Sequence, residues 1–510
     1  MKLFKKSIDC LLIMLVCLLF WTSCNPSEDT IDPNGLSSLE YDSSISSSGT
    51  SSSDNSFTGT PDFTGESYNE IEENPFIETS DEPISTFSID ADGASYSNTR
   101  RFLSYDQLPP KEAIRTEELV NFFTFDYPEP SQHPISLDGE ITSCPWAAGH
   151  RLVRIGLKGK DIARNDLPAT NFVFLIDVSG SMRSEDKLEL LKEGFMQFTD
   201  FMRAEDRIAI VTYSGASGVL LESTSARERD KIKEAIGNLA AGGSTAGAEG
   251  IKTAYQIAEE NFIEGGNNRV ILGTDGDFNV GISDQESLVT LIEEKRETGI
   301  FLTVLGVGTG NLREGQMEQI ANHGNGNFEY LDNVDQAKKV FIEEFNKFYT
   351  VAKDVKIQIQ FDAERVAKYR LIGYENRVLA TEDFEDDTKD AGEIGSGQTI
   401  TALYEIVPRA SRNDPGTSVS VDFRYKLPDS DVSEPINLAI EDDFQAFQSA
   451  SENTRFAVAV AGFGLLLRDS EYKGNLNYDQ IIEWASKAKN FDPFGHRTDF
   501  IEILRKAKAL

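Results

Sequence analysis

The chain has 510 residues, a formal charge of −36 and four cysteines. With no basic tract outside its first residues it cannot gain from counterion release, which excludes nucleic acid as a partner, and an acidic surface instead attracts divalent cations. Roughly 430 residues beyond an N-terminal linker are enough for two or three domains.

In chain order, Lys2, Lys5 and Lys6 precede an apolar run from Cys10 to Trp21 and then "TSC", the layout of an export signal over residues 1–24. That run is too short to span a bilayer comfortably. "WTSC" resembles the lipobox of bacterial lipoproteins, in which the cysteine after the cut is acylated, although Trp21 stands where a branched aliphatic residue is usual. The resemblance implies a lipid on Cys24 and a place in the cell envelope, on the periplasmic face or the cell surface of a bacterial membrane. An ordinary secretory signal cut elsewhere is the other reading. With Cys10 and Cys17 in the signal and Cys24 acylated, only Cys144 remains, so no internal disulfide is expected.

Residues 25–81 are rich in Ser, Gly, Asp and Glu and predict a disordered tether, since they offer too little apolar surface to offset ordering entropy. Such a coil of about 56 residues has an end-to-end distance of roughly 40 Å. Residues 82–165 predict a small α+β region: "ISTFSID" and "RLVRIGLKG" alternate as strands, whereas "SYSNTRRFL" and "RTEELVNFF" have helical spacing. "DADG" at 90–93 reads as a turn, and Cys144, next to Pro145 and Trp146, as a packed small side chain.

From 166 to 350, strands alternate with amphipathic helices. "NFVFLID", "RIAIVTYS", "RVILGTD" and "IFLTVLGVG" are continuous apolar runs, as a parallel sheet buried on both faces requires. Leu188, Leu191, Phe195, Phe198 and Met202 make one helical stripe, with Ser184 placed to cap it. The fold class is therefore α/β, a doubly wound, Rossmann-like parallel sheet. Residues 351–510 begin with alternating strands such as "VKIQIQF" and "SVSVDFRYKL", which suit a β-sandwich-like module, and end in helices. "NTRFAVAVAGFGLLLRDS" is apolar but short, and predicts a buried packing helix rather than a membrane span. Strand-like segments on both sides of the α/β domain are marginal as separate sheets. They predict one pooled sheet module into which that domain is inserted, its metal rim far from the tether.

Ligands of an open parallel sheet bind at the carboxyl ends of its strands. Asp177 ends the first strand, within "LIDVSGSM", and Asp275 ends "RVILGTD"; "AGGSTAGAEG" supplies Thr245 before a helix, with Gly242 and Gly243 allowing a tight loop. Asp177, Ser179, Ser181, Thr245 and Asp275 offer two carboxylates and three hydroxyls. Hard oxygen donors suit Mg²⁺ or Mn²⁺, with Ca²⁺ also accommodated, and are poor for zinc. Two carboxylates only just neutralise a divalent ion, and five oxygens leave an octahedral position for an outside carboxylate.

Asp177-x-Ser179-x-Ser181 with Thr245 and Asp275 resembles the metal-ion-dependent adhesion site of von Willebrand factor A domains. The resemblance implies that Ser179 and Ser181 bind the cation directly, Thr245 when ligand is engaged, and Asp177 and Asp275 largely through water. "STFSIDADGASYSNTRRFL", "RTEELVNFF", "CPW" at 144–146 and "EENFIEGGNNRVILGTDGDFNVG" extend the similarity to bacterial YfbK-type A-domain lipoproteins. The function this implies is a membrane-tethered binding module that captures the Asp or Glu carboxylate of a protein partner, without catalysis.

The alternative is a metal-dependent hydrolase or phosphatase on the same rim. None of His133, His150, His323 and His496 lies near these loops in sequence, and a phosphotransfer aspartate would need a second acid where Ser179 stands. "GVGTG" at 306–310 lacks the third glycine of a dinucleotide loop and reads as a tight turn. "DGDFNVGISDQE" imitates a calcium loop from Asp275 to Glu286 but has Val280 where Gly is needed, which leaves Asp277 and Asn279 as polar loop groups.

Overall fold

A computed structural model describes residues 63–510, apart from 216, 244–246, 277–284, 390 and 411–413. The α/β domain is a six-stranded sheet in the spatial order Phe328–Leu331, Ile300–Val307, Asn267–Thr274, Thr170–Asp177, Arg207–Tyr213, Ser217–Ser225. The first five strands are parallel, and Ser217–Ser225 adds an antiparallel edge. Side chains alternate across Thr170–Asp177. Phe172, Phe174 and Ile176 meet Leu191, Phe195 and Phe198 on one face, while Val173 and Leu175 meet Ile251, Tyr255 and Leu288 on the other. Both faces are thus covered by helices, which is why these strands read as unbroken apolar runs.

The predicted stripe of Leu188, Leu191, Phe195, Phe198 and Met202 is buried. Its start differs from expectation: Glu185–Glu189 forms a wider π-turn before the helix Leu190–Phe201, and Ser184 makes no side-chain capping bond.

The strands on either side of this domain pair with one another. Arg151–Gly159 runs antiparallel to Thr399–Pro408 over eight residue pairs, from Lys158 opposite Thr399 to Arg151 opposite Ile406. Ile84–Ser88 pairs with Thr350–Phe361. Two antiparallel sheets result, and Val153, Ile155 and Leu157 of one share a core with Ile357, Ile359, Val421 and Phe423 of the other. Residues 82–165 and 351–510, separate in sequence, make one sandwich that exposes fewer edges than either could alone. The α/β domain leaves and re-enters this sandwich at one place. The Thr170 hydroxyl bonds the Tyr349 hydroxyl at 2.5 Å, and Ile162 N donates to Ser396 Oγ at 2.8 Å.

A helical layer covers one sheet. Ala94–Ser104 and Thr116–Asn121 join Glu452–Leu467, Tyr478–Ser486 and His496–Ala509 in one core that includes Leu152, Ile372 and Leu403 of the sheet. Glu452–Leu467 is buried on nearly all sides, and among the described residues no helix is long and apolar enough to cross a membrane.

Two expectations fail at the N-terminal side. Residues 63–81, predicted as part of the disordered tether, are held in place: Ser67 N donates to Leu312 O at 2.9 Å, Asn74 Nδ2 to Gly373 O at 2.8 Å, and Ile77–Glu78 is an edge strand. The anchors are mostly polar, notably the buried Glu66–Arg101 pair at 2.7 Å, so composition does not reveal them. This strap lies along residues 308–313, which border the Asp275 loop. The chain therefore enters the folded body beside the predicted metal rim, not opposite it.

Candidate metal centre

Between Thr170–Asp177 and Asn267–Thr274 the sheet reverses its winding, because the chain builds outward from the first strand on one side and returns to the other. Such a switch point leaves a crevice at the carboxyl ends of the two strands. Asp177 is the last residue of one and Asp275 the first after the other, and both are buried.

The loop after Asp177 is tightly tied. Ser179 N donates to Asp177 Oδ1 at 2.8 Å, and the Ser179 and Ser181 hydroxyls lie 3.0 Å apart. Ser179 is buried and Ser181 exposed, so the hydroxyl pair leads from the carboxylates to the surface. Gly180 N donates to Gly243 O at 3.1 Å, and Gly242 N to Val178 O at 2.7 Å. Gly243 adopts a left-handed φ of 96°, which favours glycine there. Gly242 and Gly243 thus bring the third loop to the rim, while Thr245, with Asp277 and Asn279, lies outside the described residues.

Asp177 Oδ2 is buried without a hydrogen bond of ordinary geometry, although the Tyr213 hydroxyl lies close enough to interact. Burial pushes the Asp177 carboxyl up to about 6, only partly offset by its bonds to Ser179. A buried carboxylate oxygen short of partners, beside two hydroxyls and a second carboxylate, suits a hard divalent cation.

One group of the rim was not anticipated from the sequence. Lys187 Nζ donates to Asp275 Oδ2 at 2.9 Å and to Asn311 Oδ1 at 2.9 Å. Burial would raise the Asp275 carboxyl, but the Lys187 ammonium outweighs it and holds the group below the usual carboxylate range. The charge balance read from two carboxylates therefore changes: Asp275 is already compensated, which leaves Asp177, of these two carboxylates, to meet an incoming ion. In the sequence Lys187 sits in "SEDKLEL" and reads as a solvated helix charge. The readable signal is Gly308 in "GVGTG", with φ of 78°: a Cβ there would lie 2.3 Å from Lys187 Cγ and Cε, so the turn is shaped to admit the lysine stem. Gly276, with φ of 105°, similarly lets the Asp275 loop pack on the backbone of Asn311 and Arg313.

The four histidines pair elsewhere. His150 meets Glu405, His323 Glu293, His496 Glu343, and His133 Tyr425. Among the described residues none bonds to Asp177, Ser179, Ser181 or Asp275. Cys144 is buried, and its thiol is pushed up to about 12, which suits packing and not nucleophilic chemistry.

Three families match successive parts of the chain: "von Willebrand factor" over residues 62–154, "von Willebrand factor type A domain" over 171–343, and "Uncharacterized protein YfbK, C-terminal" over 346–510. Over 466 residues the chain is 39% identical to uncharacterized protein YfbK of Escherichia coli (strain K12), covering 86% of this chain and 80% of that protein. It is 27% identical over 203 residues to uncharacterized protein sll0103 of Synechocystis sp., covering 39% of this chain and 47% of that one. Among solved structures, a von Willebrand factor type A protein from Catenulispora acidiphila is similar at 17% identity and a TM-score of 0.42, covering 74% of this chain and 91% of that one. With a von Willebrand factor A domain at its centre and this likeness over most of its length, the chain belongs to the YfbK-like family.

Proposed function

We propose that this protein is a divalent-cation-dependent protein-binding module of the bacterial cell envelope, anchored by a lipid on Cys24. Ser179, Ser181 and Thr245 would hold Mg²⁺ or Mn²⁺, with Asp177 and Asp275 bearing on it through water. The cation would leave one position for an Asp or Glu carboxylate of a protein partner. The observation that carries this reading is the meeting of Asp177 and Asp275 at the sheet's switch point beside the paired hydroxyls of Ser179 and Ser181. Binding is favoured over hydrolysis because the described residues of the rim offer oxygen donors and a lysine engaged with Asp275, with no paired base and nucleophile among them.

Calorimetric titration with Mn²⁺ tests the site. The folded chain should bind one ion at the rim, and Asp177→Ala should lose that ion while keeping its circular dichroism; equal rim binding by both proteins would defeat the assignment. A pull-down from cell envelope with and without chelator then tests the partner. A partner retained equally in both would show that the cation is not the link.

A further inference from the structure

Acids crowd the seam where the N-terminal region, the sandwich and the A domain meet. Asp90 follows the strand Ile84–Ser88, Glu117 and Glu118 belong to the helix Thr116–Asn121, and Glu314 and Glu318 to the helix Glu314–His323 of the A domain. With Asp92 they make six carboxyl groups, all buried. One oxygen each of Asp90, Glu118 and Glu318 lie within 4.8 Å of one another.

The positive groups at the seam serve these acids unevenly. Arg377 reaches Asp90 Oδ2 at 2.9 Å and Glu318 Oε1 at 3.3 Å, and Arg115 reaches Glu318 Oε2 at 2.9 Å and Glu118 Oε1 at 3.4 Å. Asp90, Glu118 and Glu318 are thereby paired. Glu117 and Glu314 are not. Both carboxylate oxygens of Glu117, and Oε2 of Glu314, are buried without a hydrogen bond to another residue, and each of the two residues is only 2% exposed.

The charges facing Glu117 are Glu375, Arg115 and Asp90, and those facing Glu314 are Arg115, Glu318, Glu117 and Arg101. Arg115 is already shared by Glu118 and Glu318, and Arg101 is committed to Glu66 at 2.7 Å. Glu375 is itself paired with Arg468 at 2.8 Å. A buried carboxylate without partners is costly, and the like charges of its neighbours add to the cost. A proton removes the charge and makes one oxygen a donor that a neighbouring carboxylate can accept. Burial and these neighbours push the Glu117 carboxyl up to about 7 and the Glu314 carboxyl up to about 8, from an ordinary 4.5.

We propose that the seam is a proton-held latch: Glu117 and Glu314 carry protons while the helix Thr116–Asn121 is held to the A-domain helix Glu314–His323, and their deprotonation in mildly alkaline solution loosens that junction. A carboxyl raised in the folded chain contributes stability that is complete below 4.5 and is lost as pH rises through 7 and 8. The latch is therefore tight in acid and weakens above neutrality. Its loosening reaches the strap, because Ser67 N donates to Leu312 O, two residues before the A-domain helix begins.

Infrared spectroscopy of the folded chain in heavy water tests the protons directly. Wild type should show a carboxylic-acid C=O band at pH 7 that is lost by pH 9, and Glu117→Gln and Glu314→Gln should each diminish it. A wild type without that band, or variants that leave it unchanged, would overturn the proposal. Thermal melts test the latch. Wild type should melt lower at pH 9 than at pH 7, and the chain carrying both substitutions should lose at most about half as much. Hydrogen exchange, corrected for the intrinsic effect of pH, should show protection falling in 116–121 and 314–323 of wild type at pH 9. Equal losses in wild type and the doubly substituted chain, or protection lost only in other segments, also defeat it.

Discussion

At the scale of single residues, the Lys187–Asp275 pair would set how strongly the proposed rim site holds an ion. A buried ammonium 2.9 Å from Asp275 cancels one of the two charges that would attract a cation. Replacing Lys187 with Met keeps most of the stem that Gly308 admits and removes the charge. Lys187→Met should raise Mn²⁺ affinity at least about tenfold, or about 1.4 kcal/mol. Without metal the same variant should melt lower than wild type, since Asp275 is left buried and uncompensated, and Mn²⁺ should restore it. Calorimetry and thermal melts check both parts. Unchanged or weaker Mn²⁺ binding would mean that the ammonium does not compete with the ion.

At the scale of elements, the chain returns from the A domain to the sandwich through the turns Lys339–Glu343 and Phe345–Phe348, which bury two lysines. Lys339 Nζ lies 2.5 Å from Glu344 Oε1 and Lys347 Nζ 3.1 Å from Glu344 Oε2; Lys347 also pairs with Glu329. Burial would raise the Glu344 carboxyl, but the two ammonium groups outweigh it and hold it down at about 2, below its ordinary 4.5. A depressed carboxyl contributes stability that is present above the ordinary value and is lost as pH falls from 4.5 towards 2. Glu344→Gln should cost about 3 kcal/mol at pH 7, the low end for a broken buried pair because 20% of the Glu344 side chain is exposed. Its stability should also vary less than that of wild type across this acid window. Urea unfolding at pH 7 and pH 3 measures both, and parallel losses in the two proteins would show that Glu344 does not carry the effect.

At the scale of the whole molecule, the A domain is mounted at several points. Entry and exit meet at the Thr170–Tyr349 bond, and the strap at 63–68 crosses the loop beside Asp275. Arg100 of the N-terminal helix adds a bidentate pair to Asp332 of the A domain, at 2.5 and 2.7 Å. Cys24→Ala should move the protein from the membrane fraction to the soluble fraction of the envelope, with its melting temperature unchanged because the cysteine precedes the folded body. A variant that still fractionates with membrane would place the anchor elsewhere.

Much of this was legible in the sequence because it follows from local patterns. A strand buried on both faces must be apolar throughout, so "NFVFLID" and "RVILGTD" announced a parallel sheet, and Asp177 and Asp275 were readable as strand-end groups in a doubly wound fold. The apolar stripe of Leu191, Phe195 and Phe198 marked a helix face in the same way. What remained hidden involves partners far apart along the chain. Lys187 and Asp275 are 88 residues apart, and in "SEDKLEL" the lysine is indistinguishable from a solvated charge. Strand alternation in 134–158 and 355–427 suggested pooled sheets, but the register of Arg151 opposite Ile406 is set by how the two sheets close over one core. "DADG" looked like a turn and is one, with Asp92 N bonded to Asp90 Oδ1, yet only the packed helices Thr116–Asn121 and Glu314–His323 bury it among other acids. Periodicity records which face of an element is buried; which charge meets which is decided when distant segments exclude water together, and that is a property of the tertiary structure alone.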